Sequence, residues 1–263
     1  MVDIVVLVKD TVELSELKVD PATRRPILLG LNRRIGDLDK RAVEAAVQLR
    51  DKHGGKVILV SLGDDKTRTA IREAFAMGAD EAYLLRDSSF EGSDTLVTSR
   101  ILAAALRRIG RYDLILCGEM TLDSLSAQVG PRVSELLGLP LVAYARRIEV
   151  KGDRIVAERS YDMEDETVEV SMPVLISVVR EINEPRTPAL MSIMRASKKP
   201  IQDWNREALG LQIEEVGSHG SGIKVLDVKA PLMERKRIIF KAETPEKAAS
   251  SLVDRLFKDG VLK

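Results

Sequence analysis

Four apolar runs, at residues 4–8, 57–62, 82–85 and 114–117, are separated by gaps that each leave room for a helix, and this rhythm restricts the fold more than any other feature. Parallel strands need a crossover of a dozen or more residues, usually a helix, and burial on both faces makes them read as continuous apolar runs. The intervening segments have helical period and recognisable ends. Residues 39–52 turn Ala42, Val43, Ala46, Val47 and Leu49 inward and stop at Gly54-Gly55. A second helix over 67–77 has Gly78 at its C-terminal cap position. A third follows Ser93-Asp94 as N-cap candidates, sets Val97, Ile101, Leu102 and Ala105 on one stripe, and ends at Gly110. A fourth begins near Gln128, carries Pro131 in its first turn and stops at Gly138. The pattern predicts an α/β fold with a doubly wound, Rossmann-like parallel sheet, right-handed crossovers, and a ligand crevice beyond the carboxyl ends of the strands.

From 141 to 180 the period changes to two. Runs at 145–150, 154–161, 166–172 and 174–179, with a turn at Lys151-Gly152-Asp153, predict an antiparallel extension. After Asn183-Glu184-Pro185 comes an irregular stretch with Pro188 and Pro200, then the glycine cluster 217–222, then a charged tail with one amphipathic helix near 245–257. The glycines read as a flexible hinge. The tail helix carries Ala248, Leu252 and Leu256 on one stripe with no neighbouring core, as expected of an arm that packs on a partner chain. This gives an α/β domain over 1–200, including the antiparallel strands and the segment 183–200, and a hinge and C-terminal arm over 201–263.

Composition narrows the function classes. With 41 basic and 41 acidic side chains, no global charge draws the chain to nucleic acid or an anionic membrane. The single cysteine, Cys117, excludes a disulfide framework or a multi-cysteine metal site within the chain, which points to a reducing cytoplasm. The head of the chain reads as a strand rather than a secretion signal, and no stretch approaches a membrane span, so no direct membrane insertion is expected. The two histidines, His53 and His219, have no cysteine or carboxylate at metal-ligand spacing, and read as surface residues. Hydrolase motifs are absent, and neither a catalytic residue nor a metal is expected.

Nucleotide binding has better support, though not from the usual fingerprints. No G-x-G-x-x-G follows a strand, and 217–224 fails the phosphate-loop pattern because Ile223 separates Gly222 from its lysine. What remains is a set of small and polar residues at strand ends: Lys9-Asp10-Thr11, Gly36-Asp37, Gly63-Asp64-Asp65 and, above all, 118–130. That last loop follows a strand and opens a helix, where hydroxyls and backbone N–H groups can cradle a phosphate. A capped, hydrophilic loop with no ligand would look the same.

Ordered along the chain, Val5-Val6-Leu7-Val8-Lys9, Ala74-Phe75-Ala76-Met77-Gly78-Ala79-Asp80, Asp113-Leu114-Ile115-Leu116-Cys117-Gly118 and the block 183–200 resemble the electron-transfer flavoprotein β-subunit family. The last block is the specific one: Asn183-Glu184-Pro185-Arg186, an apolar triplet, Ile193-Met194-Arg195-Ala196 and Lys198-Lys199. The resemblance implies an electron carrier that pairs with an α subunit, serves acyl-CoA-type or other dehydrogenases, and passes electrons to a quinone-reducing or ferredoxin-type acceptor. It places an adenine nucleotide at Leu7, Val8 and Lys9, along Gly36, Asp37, Leu38 and Asp39, at Leu62 and Gly63, and along the loop from Gly118 to Val129. Asp123, Ser124, Ser126 and Gln128 are the expected polar contacts. The main redox FAD would be held largely by the α subunit, with Leu38 as an apolar shield. Leu190 would be the docking anchor, with Met191 and Met194 as adaptable neighbours.

The loop departs from the family's commonest pattern at Ser124 and Leu125, where further acidic residues are usual. The stretch 92–99 resembles a subgroup whose β subunit binds a second FAD in place of AMP and splits electron pairs. Thr95, Thr98 and Ser99 could then meet a diphosphate, while Ser93-Asp94 is explained as simply by helix capping. The reading leans to FAD over AMP. The rival is a stand-alone adenine-nucleotide enzyme or sensor of the related hydrolase-like fold; such an enzyme would want a glycine-serine loop where Lys9-Asp10-Thr11-Val12-Glu13 stands.

Overall fold

A computed structural model describes residues 1–161, 164–231, 237–241 and 243–262. The four apolar runs are strands β1 (Ile4–Leu7), β2 (Val57–Leu62), β3 (Glu81–Leu85) and β4 (Leu114–Gly118). Helices α1 (Asp37–His53), α2 (Arg68–Met77) and α3 (Thr95–Ile109) fall between them, and α4 (Val129–Leu137) follows β4. Strand β1 lies between β2 and β4 and is parallel to both, with Ile4 in register with Val57 and Leu114. Its alternating side chains feed two cores. Ile4, Val6 and Val8 pack with α1 and α2, and Val5 and Leu7 with α3 and α4, so the sheet is covered on both faces.

The remaining sheet strands are β5 (Leu141–Lys151), β6 (Arg154–Tyr161), β7 (Glu164–Ser171), β8 (Val174–Val178) and β9 (Gln202–Trp204). The nine-stranded order is β7-β6-β5-β8-β4-β1-β2-β3-β9. The antiparallel extension is β5, β6 and β7. The last of its predicted strands corrects the sequence reading: β8 runs parallel to both β4 and β5. All five residues of β8 are buried, and such a strand belongs in the interior of the sheet rather than on a half-exposed ribbon.

The stretch predicted to be irregular contains helix α5 (Leu190–Ala196) and β9, which pairs in parallel with β3 at the far edge. Trp204 of β9 lies against Tyr83, ring centroids 4.1 Å apart, under the Arg108 guanidinium. Contacts divide the chain into two units: Met1–Lys18 with Pro26–Val228, and Val19–Arg25 with Lys229–Lys263. The larger unit thus extends past residue 200. Within the smaller one, helix α6 (Pro245–Lys258) is capped by Thr244 and leaves Leu252, Val253 and Phe257 exposed.

The glycine cluster is a clasp, not a free hinge. The Ser218 N–H donates to the Glu91 carbonyl at 3.0 Å, the Asp94 N–H to Ser221 Oγ at 2.8 Å, and the Gly222 N–H to Asp94 Oδ2 at 2.9 Å. Gly217 has φ +57° and is buried, and a Cβ there would lie 2.1 Å from the Ser89 carbonyl oxygen. Gly217→Ala should therefore cost about 1–3 kcal/mol, read as a lower denaturant midpoint with unchanged slope. A segment acting only as a linker would tolerate the change.

Candidate functional site

The chain runs from β1 to β2 and β3 on one side, then returns to place β4 on the other side of β1. The strand order therefore reverses between β1 and β4, where a doubly wound sheet opens a crevice at its carboxyl edge. Asp39, in the first turn of α1, spans that point. Its Oδ2 accepts the Lys9 N–H at 2.8 Å and its Oδ1 accepts the Gly118 N–H at 3.1 Å. Both amides sit where a strand ladder runs out and need a partner once buried. The Gly36 N–H, at the α1 N-cap, donates to the Lys9 carbonyl at 3.0 Å and ties the same helix end to β1.

Asp39 is 6% exposed. Burial raises its pKa to about 7, against the Lys9 and Gly118 amides and the Lys9 charge, which favour the carboxylate; the Asp123 charge adds to the rise. Close approach of α1 to β4 requires Gly118, where a Cβ would lie 2.7 Å from Leu38 Cβ and 2.8 Å from Asp39 Oδ1. Beneath, Cys117 is buried with its thiol pKa pushed up by burial and then by the Asp39 charge, so it stays protonated. On the β2 side, Asp10 accepts Thr67 Oγ1–H at 2.9 Å and the Arg33 guanidinium at 2.8 Å, while Ser61 Oγ donates to the Val8 carbonyl at 2.8 Å.

The rim is softer. Lys9 Nζ pairs with Asp123, both side chains over 40% exposed, and such a pair contributes roughly 0–1 kcal/mol. It orients the loop 119–128 without holding it. In that loop the Leu125 N–H donates to the Thr121 carbonyl at 2.8 Å and the Thr121 and Ser124 hydroxyls lie 3.0 Å apart. Leu125 and Ala127 take φ values of +50° and +52°, a conformation that costs a non-glycine residue about 1–3 kcal/mol and is frequent in ligand-binding loops. Thr95 Oγ1 donates to Gln128 Oε1 at 2.7 Å, joining the N-terminus of α3 to the residue that precedes α4.

Most of the predicted binding residues meet in this region. Leu7, Val8, Lys9, Gly36, Asp37, Leu38 and Gly118 gather at the β1 and β4 ends, with Leu62 and Gly63 at the end of the adjacent β2. Asp123 joins them through Lys9, and Thr95 and Gln128 meet across the α3 and α4 starts. Leu7, Val8 and Leu38 are buried and Val129 half-buried, so these positions offer mainly backbone; Ser124 is exposed, and Ser126 and Thr98 are half-buried. Ser99 is not available: it is buried and its hydroxyl donates to the Thr95 carbonyl at 2.7 Å. Asp94 caps α3, accepting the Val97 N–H at 2.9 Å. Burial raises its pKa, but the Val97, Gly222 and further backbone N–H groups outweigh that and keep it ionised.

Asp39 closes the 36–39 stretch that the resemblance implies for the nucleotide and starts the inward stripe that continues through Ala42, Val43 and Ala46; its grip on the Lys9 and Gly118 amides has no local signal in the sequence. Helix α5 carries the second candidate surface, with Leu190, Met191 and Met194 73%, 59% and 54% exposed; Ile193, not anticipated, is exposed beside them.

Residues 29–209 match the family described as the electron transfer flavoprotein domain. The chain is 39% identical over 255 residues to an electron transfer flavoprotein subunit β from Thermoanaerobacterium thermosaccharolyticum, covering 97% of each chain. It is 34% identical over 263 residues to the subunit β of Megasphaera elsdenii, again covering 97% of each. It is 35% identical over 254 residues to CarD, a subunit of the caffeyl-CoA reductase–Etf complex of Acetobacterium woodii, covering 96% of this chain and 97% of CarD. Among the described residues, no helix is long and apolar enough to cross a membrane.

The Asp39 carboxyl sets a pH dependence whose sign follows from its shift. Its folded pKa, about 7, lies above the ordinary 3.8, so its contribution to stability is fully present below the ordinary value and is lost as pH rises through about 7. Relative to Asp39→Asn, the unaltered protein should lose stability between pH 4 and 8 in urea unfolding; parallel curves would contradict this assignment.

Proposed function

The chain belongs to the electron transfer flavoprotein family, and on that premise we propose that it is the β-type subunit of a heterodimer, holding an adenine nucleotide at the Asp39 crevice and docking dehydrogenases through α5. The carrying observation is that the reversal of strand order between β1 and β4 lies beside two helix starts joined by the Thr95–Gln128 hydrogen bond. Helix N-termini and small hydroxyl residues suit phosphate. On this reading Thr95, Thr98, Ser124, Ser126 and Gln128 meet the phosphates, and Lys9, held by Asp123, supplies the cation. Backbone groups at Leu7, Val8, Gly36, Asp37, Leu62, Gly63, Gly118 and Val129 meet the nucleoside.

Two helix starts favour a diphosphate, and so a second FAD, over the monophosphate of AMP. With Asp94 already on the α3 cap, the donors on that side are the Thr98 hydroxyl and, once a ligand takes the place of Gln128 Oε1, the Thr95 hydroxyl, rather than free cap amides. When bound, flavin supplies the redox chemistry, in one- or two-electron steps. The chain's part is to bind, orient and exclude water. Leu38, buried and apolar, has no proton to exchange, Asp39 is engaged in holding the strand ends, and Cys117 is a buried thiol that stays protonated. The main redox FAD would lie largely on the α subunit, and α6 would pack its exposed Leu252, Val253 and Phe257 on that subunit. Electrons would pass from an acyl-CoA-type or other dehydrogenase to a quinone-reducing or ferredoxin-type acceptor, with splitting between acceptors as the two-FAD form of the reading. Similarity to a subunit of a reductase–Etf complex suits a chain that works within an assembly. A stand-alone enzyme or sensor would have no use for an exposed apolar helix.

Truncating the anchor tests the docking half of this reading. Leu190→Ala in the heterodimer should raise the KM for reduction by an acyl-CoA dehydrogenase roughly thirtyfold, the effect of losing a hot spot of about 2 kcal/mol, with nucleotide content and melting unchanged. An unaltered KM would count against α5 as the docking surface.

A further inference from the structure

Helix α5 stands on two fastened feet. On the N-terminal side, Arg186 grips Glu44 of α1 with Nε to Oε2 at 2.8 Å and Nη2 to Oε1 at 3.1 Å, and its backbone N–H adds a bond to Oε2 at 3.2 Å. Gln48 donates to the same carboxylate at 2.8 Å. Two residues of the preceding turn reach α1 as well: Asn183 Nδ2 donates to the Arg41 carbonyl at 3.0 Å, and Glu184 pairs with the Arg41 guanidinium at 3.1 Å. On the C-terminal side, Arg72 of α2 donates to the Ala196 carbonyl at 2.6 Å and to the Lys199 carbonyl. Lys199 in turn donates to the Ala79 carbonyl and lies over the Phe75 ring at 5.2 Å. Between the feet, Leu190, Met191, Ile193 and Met194 are each more than half exposed, whereas Ala196 is buried.

Glu44 is the unusual member. It is 3% exposed, on a helix whose other buried residues, apart from Asp39, are apolar. A buried carboxylate is tolerated only when paired and hydrogen-bonded, and a forked arginine supplies both requirements in one geometry. Burial raises the Glu44 pKa, and the Arg186 and Gln48 bonds more than offset the rise, so the pair stays charged. A helix held at both ends loses little freedom when its exposed side chains enter a partner's pocket.

We propose that Glu44 and Asn183 are positioning residues that act through Arg186 and the Arg41 carbonyl to hold α5 as a preorganised docking element. The inference rests on the docking role of α5 for its purpose, and on the two sets of bonds for its substance. Met191→Cys in the heterodimer gives an accessible thiol on α5 for a nitroxide label, while Cys117 of this chain is buried. The label should show restricted motion in the otherwise unaltered protein and loosened motion with Glu44→Gln/Arg186→Gln, which removes both charges together. Asn183→Ala, which leaves the ion pair in place, should loosen it as well. Without the label, the same changes should raise the KM for an acyl-CoA dehydrogenase about tenfold, the cost of ordering a loosened segment on binding, with kcat and melting little changed. Nitroxide spectra indistinguishable from the unaltered protein in both variants would overturn the proposal. If the spectra loosen but neither these variants nor Leu190→Ala moves the KM, the positioning stands and the docking role of α5 falls.

Discussion

One carboxylate with two hydrogen bonds organises the carboxyl edge of the sheet in this protein. Asp39 accepts the amides that follow β1 and end β4, on either side of the point where the strand order reverses. Without an acceptor those part-buried amides would stay unpaired, at a cost of up to about 1–3 kcal/mol each. With it, the two strands are pinned to the start of α1 and Gly118 must stay bare. The loop 119–128 then leaves from a fixed position, and the exposed Lys9–Asp123 pair has only to orient it. Firm floor and soft rim follow from burial: the same kinds of group contribute strongly below and weakly at the surface.

Helix α1 links the two candidate surfaces. Its first turn carries Asp39 to the crevice, and one turn further Glu44 receives Arg186 from the segment that leads to α5. Two buried carboxylates on one helix thus set the geometry of the crevice at the strand-order reversal and of the exposed apolar helix α5. On the proposed function, an electron carrier that meets an enzyme partner and keeps a cofactor in register gains from having both surfaces anchored to the same rigid element.

Much of this was legible in the sequence because periodicity reports burial directly. The runs at 4–8, 57–62, 82–85 and 114–117 are unbroken because both faces are covered, and the glycine stops lie at the observed helix ends. What was hidden depended on long-range pairing. The 174–178 strand carries the same residue types whether its neighbour runs parallel or antiparallel, and only its full burial between β4 and β5 distinguishes them. The glycines at 217–222 look like a linker until the Ser89 and Glu91 carbonyls and the Asp94 carboxylate are seen against them. Ser99 looked like a ligand donor, but its hydroxyl turns back to its own helix, as hydroxyls in helix interiors often do. Asp39 and Glu44 were readable in principle as acids on the inward side of an amphipathic helix, though their partners lie 79 and 142 residues away in sequence.

The central claim is that this chain holds an adenine nucleotide of its own beside a flavin held by its partner. The most direct measurement is release of cofactors by denaturation from the complex copurified with its α subunit, with flavin and adenine nucleotides quantified per heterodimer. The account predicts two adenine-containing cofactors, both FAD. One FAD with one AMP would keep the crevice assignment but remove the second flavin and the electron-splitting form of the reading. A single FAD with no further adenine nucleotide, or no flavin at all, would contradict the account.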